Sequence, residues 1–138
     1  MGILLRSLVA AGLAVDAVVH WKYAPDMAYV PGGAIGGDTL FKVQAVVAAV
    51  VAVLICFVAR RWTYAVAFLV AASALGALLL YYYVDVGEIW PFPEMHDPMW
   101  YWEKTASVVG EGIAAVAAVA GFLVAGRERS PEGERARS

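Results

Sequence analysis

The chain has 138 residues, 62% hydrophobic and only 16% charged. Soluble domains carry about 25% charged residues, and one this small could not hide so much apolar surface. Disorder is excluded by the same composition. A net charge of −2 leaves no basic footprint for nucleic acid. The single cysteine, Cys56, rules out an internal disulfide, a CxxC pair and a cysteine zinc cage. An integral membrane protein remains, with the lipid bilayer as its first partner.

A spanning helix needs roughly 20 mostly apolar residues at about 1.5 Å each. The first such stretch is 4–22, which also carries Arg6, Asp16, His20 and Lys22. A secretory signal is its alternative reading. The apolar run is short for that, and Val15-Asp16-Ala17 makes a poor cleavage site. Residues 23–39 contain PGGAIGGD, which reads as flexible punctuation. The second stretch is 40–59; Arg60, Arg61 and Trp62 then form a tight turn into the third, 63–84.

The loop 85–104 holds Trp90, Phe92, Trp100, Tyr101 and Trp102, residues suited to a membrane interface. Pro91, Pro93 and Pro98 forbid a continuous helix there, so a segment lidding the bundle is expected. The fourth stretch is 105–125, and residues 126–138 form a polar tail expected to be disordered. The chain therefore reads as all-α, a four-helix transmembrane bundle of up-down-up-down order in one domain, 1–125. Helix one is then a neighbour of both two and four.

Basic residues orient it. With the N-terminus inside, Arg6, Arg60, Arg61, Arg127, Arg129, Arg135 and Arg137 face the cytoplasm. Lys22, Lys42 and Lys104 lie outside and snorkel to the headgroups. A bacterial plasma membrane with both termini cytoplasmic is expected. Small residues offer packing seams: Ala48, Ala52 and Cys56 on helix two, Ala72 with Gly76 and Ser73 with Ala77 on helix three. Helix four offers Gly110, Ala114 and Ala118, then Ala117, Gly121 and Ala125. Cys56 is expected to pack as a small apolar residue.

The polar residues inside the spans fall at one level. Counted from the outer ends at about 1.5 Å per residue, Asp16 and Glu111 lie roughly 9 Å deep, Gln44 roughly 6 Å and His20 roughly 3 Å. Asp16 and His20 are four apart and share a helix face. Tyr81, Tyr82, Tyr83 and Asp85 end helix three on the same side. Intramembrane ionisable groups cost a few kcal/mol and are usually partnered or functional. One reading is a ligand pocket using Asp16, His20, Gln44, Glu111 and Tyr82. There the two carboxylates share a proton or, with His20, hold zinc, iron or manganese. The other is structural: pairs such as Asp16 with His20, or Glu111 with Gln44, set helix register and nothing else. Metal motifs such as HExxH are absent. Met95, His96, Asp97 and Met99 would suit copper, but their spacing is unspecific.

Asp16-x-x-x-His20, Leu40-Phe41 with Gln44-Ala45, Tyr83-Val-Asp85-Val-Gly87, Pro91-x-Pro93-x-Met95-x-Asp97-Pro98-x-Trp100, and Glu103-Lys104 with Glu111 form one pattern over residues 8–115. It resembles a group of small actinobacterial four-helix integral membrane proteins. The resemblance implies a fold and no activity. In that group the position of His96 is often Tyr, which weakens the copper reading, and that of Gln44 often Glu. The topology is also similar to that of DoxX-like proteins, in helix number and length.

No nucleophile motif points to an enzyme, and no cofactor is implied. A binding or accessory module with a polar outer pocket fits the residues best. A proton- or ion-coupled transporter acting as a homo-oligomer, or a structural subunit of a larger membrane complex, are the alternatives. A carrier would need polar residues past the midplane, and helices two and three supply none.

Overall fold

Every long apolar run is a helix, because in lipid the backbone must satisfy its own hydrogen bonds. A computed structural model describes residues 2–137, with side chains through Arg127. Helix α1 spans Gly2–Tyr23, α2 Gly37–Phe57, α3 Arg61–Tyr83 and α4 Trp102–Arg137. All four are long and apolar enough to cross a membrane, α4 through Trp102–Arg127. The helical backbone thus continues into the segment whose polar composition predicts a disordered tail; side chains beyond Arg127 lie outside the described residues.

Helix α1 packs on both α2 and α4, and α4 also packs on α3, while α2 and α3 touch each other much less. The shared core joins Val9 and Leu13 of α1 to Val51 and Ile55 of α2, Ala67 and Ala71 of α3, and Ala114 and Ala118 of α4. Outward lie Val18, Val46, Val50, Val53, Leu69, Val116 and Leu123, all exposed. An apolar girdle of this kind is what a lipid-facing surface requires.

The closest approach is between α1 and α4. A Cβ on Gly12 would strike the Gly110 carbonyl oxygen and lie 2.8 Å from Ala114 Cβ. Gly121 likewise makes room for the Tyr64 ring. The helix-four seams are therefore real, with Gly110, Ala114, Ala117, Ala118 and Gly121 buried. Helix three differs from expectation. Its packing face is Ala67, Ala71 and Ala74, while Gly76 and Ala77 are exposed and Gly76 has open space around it. Cys56 also departs from expectation, since it is exposed. Ile55 faces the core, and the next residue turns about 100° away from it. The end of α2 is held instead by Arg6, whose guanidinium donates to the carbonyls of Ile55 (3.2 Å) and Cys56. Those are carbonyls left without helical partners, at the negative end of the helix dipole.

At the opposite end the two long loops are knitted together. A 3-10 turn, Pro25–Tyr29, leads into residues 31–36. Ala34 and Ile35 donate to the Pro91 carbonyl, Glu94 donates to that of Pro31, and Gly33 N donates to Glu88 Oε1 at 2.6 Å. Gly33 has φ +77°, and a Cβ there would sit 2.6 Å from Pro93 N. Only glycine fits both conditions. The first loop is thus a docked segment where flexible punctuation was expected. The second lids this end, with its own Pro93 buried.

Candidate functional site

Helix α1 places Asp16 and His20 one turn apart near the loop end. Asp16 is fully buried. Gln44 of α2 reaches across and donates from Nε2 to Asp16 Oδ2 at 2.8 Å. The His20 ring lies against Phe41, with centroids 4.8 Å apart. Its Nδ1 sits 2.6 Å from Asp16 Oδ1 and 2.9 Å from the Asp16 backbone carbonyl oxygen. A carbonyl only accepts, so Nδ1 carries a hydrogen. Its hydrogen bond is to the carbonyl, and Asp16 Oδ1 is left without one.

Glu111 enters from α4, directly after the Gly110 that lets α4 approach α1. It is fully buried, and neither of its carboxylate oxygens has a hydrogen-bond partner. One ligand-type atom from each of Asp16, His20 and Glu111 lies within 4.8 Å of the other two. No other group of three or more His, Cys, Asp or Glu side chains comes together in this way among the described residues.

Above this cluster is a cavity of about 600 Å³. Its walls are largely apolar, with Val19 of α1, Leu40 and Phe41 of α2, and Ala74, Ala77 and Leu78 of α3. The lid contributes Ile89, Phe92 and Met95. Polar groups enter from His20, Gln44, Tyr81, Tyr82, Tyr101 and Lys104. His20, Gln44 and Tyr82 line the cavity. Asp16 and Glu111 do not. They stand behind it, joined to it through His20 and Gln44.

His96 is not part of the cluster. Its Nδ1 donates to the Tyr81 carbonyl at 2.7 Å and anchors the lid to the end of α3. A copper role for it has no geometry behind it, because among the described residues it joins no cluster of His, Cys, Asp or Glu side chains.

Lys104 overturns its expectation most clearly. It does not snorkel; it is 8% exposed. Its ammonium donates to the carbonyls of Asp97 (2.9 Å) and Met99 (2.6 Å) and pairs with Asp97 Oδ2 at 3.1 Å. It also lies about 5 Å above the ring centroids of Tyr82 and Tyr101. The lid supplies these acceptors, and they draw the ammonium inward. Burial, with the Asp97 carboxylate nearby, pushes the Tyr101 hydroxyl above its ordinary pKa, so it stays a neutral donor at the cavity edge. Lys22 fits the snorkelling picture better: it is exposed and 3.6 Å from Glu103.

Lys104→Met is expected to release the lid from α4. Hydrogen bonds to a charged donor contribute about 1.5–3 kcal/mol each, so amide exchange over residues 95–101 should accelerate by roughly tenfold or more. Unchanged exchange there, measured by mass spectrometry, would show that Lys104 does not hold the lid.

No family model, curated protein or solved structure matches the chain.

Proposed function

We propose that this protein is a membrane-embedded binding module. Its loop-end cavity takes a small amphipathic molecule, with an apolar body and a polar head in the manner of a quinone or a lipid. The cavity itself carries this reading. It has the volume of a drug-sized ligand site, apolar walls from α1, α2, α3 and the lid, and a few convergent polar groups. The apolar body would lie against Phe41, Ala74 and Leu78, and the head against His20, Gln44 and Tyr82.

The setting we propose is a bacterial plasma membrane, with both termini cytoplasmic and the lid outside. The arginine bias of the short links and tail supports that orientation. The resemblance to small actinobacterial membrane proteins supports the bacterial setting. A carrier is less well supported. Beyond the cluster the described core of α1 and α2 is apolar, made of Val9, Leu13, Ala48, Val51 and Ile55.

Native mass spectrometry of the protein in a gentle detergent tests the reading. The wild-type chain should retain an organic mass of several hundred daltons. Ala77→Trp, which fills the cavity from α3, should lose it. A bare wild-type mass, or retention unchanged in Ala77→Trp, would remove the cavity from consideration and favour a structural subunit.

A further inference from the structure

The cluster behind the cavity has a chemistry of its own. Asp16 and Glu111 bring two carboxylates into one buried place. An isolated buried charge is expensive unless something of opposite sign neutralises it. Asp16 Oδ2 has a donor in Gln44 and Oδ1 lies 2.6 Å from His20 Nδ1, whereas neither oxygen of Glu111 has a donor. The unsatisfied oxygens belong to a residue that converges with Asp16 and His20. A divalent cation would neutralise both carboxylates at once.

We infer that Asp16, His20 and Glu111 form a binding site for a single divalent first-row metal ion. Two carboxylates and a neutral imidazole balance a charge of +2. This oxygen-rich set with one nitrogen suits zinc, manganese or iron(II), whereas copper(I) favours sulfur ligands. Gln44 is the outer partner that fixes the Asp16 carboxylate, a recurrent feature of metal sites. The His20 hydrogen bond to the Asp16 carbonyl orients the ring, and Phe41 packs on its face. Three protein ligands leave coordination positions open. His20 and Gln44 also line the cavity, so an open position there is accessible to water or to a polar head group. The site goes beyond the binding reading above and stands whatever fills the cavity.

The test uses the full chain in detergent, stripped with a chelator and then equilibrated separately with Zn²⁺ and Mn²⁺. After desalting, elemental analysis should find one ion per chain for at least one of the two. The melting midpoint should rise by about 5 °C with that metal. Glu111→Gln keeps the side-chain shape and removes the charge; it should abolish both the retained ion and the shift. Gln44→Leu should weaken binding by roughly tenfold. His96→Ala and Ala77→Trp should leave the metal content unchanged, which separates this site from the cavity ligand. Retention of neither ion by the wild-type chain overturns the proposal, as does equal retention by Glu111→Gln. If Glu111→Gln does not fold, Co²⁺ added to the wild-type chain decides. Visible d–d bands that Zn²⁺ or Mn²⁺ displaces support the site, and a flat spectrum overturns it.

Discussion

Gly12→Val is expected to break the bundle. Even a Cβ at Gly12 meets the Gly110 carbonyl oxygen and the Ala114 methyl, and neither can rotate away. Helices α1 and α4 must separate to admit it. Overpacking in a fixed core typically costs 1–3 kcal/mol, and a backbone obstacle places this case at about 3 kcal/mol or above. Gly76→Ala is the matched control. It has nothing within 4 Å of the new Cβ, and it gains helix propensity of roughly 0.5–1 kcal/mol. Unfolding in mixed micelles, followed by circular dichroism, should show a large loss for the first and none for the second. Similar midpoints for the two would mean that the Gly12–Gly110 approach does not hold α1 to α4. The same contact governs the site. Gly12 lies one turn before Asp16, and Gly110 adjoins Glu111. Small residues at this crossing bring the two carboxylates within reach, so loss of the seam should also disperse the cluster.

That dependence explains which parts of the molecule were legible in the sequence. The spans were, because about 20 apolar residues in a row have few other uses. The i, i+4 pairing of Asp16 with His20 was too, since helical periodicity fixes it. The meeting of Asp16 with Glu111 was only suggested by equal depth. Its realisation depends on the rotation of α4 about its own axis, which the Gly12–Gly110 contact sets. The packing face of α3 was misread for a related reason. Where lipid is as apolar as the core, hydropathy marks no inward face, and Ala72-x-x-x-Gly76 looks as good a seam as Ala67-x-x-x-Ala71. Lys104 was misread because its acceptors, the Asp97 and Met99 carbonyls, come from an irregular loop. No periodicity places such groups. The role of Gly33 was equally hidden, since its obstacle is the backbone of the other loop at Phe92–Pro93.

Glu111→Leu and Asp16→Leu should move stability in opposite directions in the metal-free protein. Glu111 is fully buried and accepts no hydrogen bond at either oxygen. A leucine of similar size removes the desolvation penalty and the repulsion between the Glu111 and Asp16 carboxylates. A gain of about 1–3 kcal/mol follows from the size of such penalties. Asp16 is different, because it is the acceptor for Gln44 Nε2. Its replacement leaves that amide, and the neighbouring His20 ring, facing an apolar side chain. A loss of about 1–3 kcal/mol is expected. The comparison is to be made by thermal unfolding in chelator-treated detergent. It separates the two explanations that equal depth in the sequence leaves open. Were the cluster there only to fix helix register, both substitutions would destabilise, and Glu111→Leu as severely as Asp16→Leu. A stabilised Glu111→Leu chain would instead identify Glu111 as a residue held against the interest of the fold. A bundle keeps such a group for what it binds, since functional sites are where stability is most often given up.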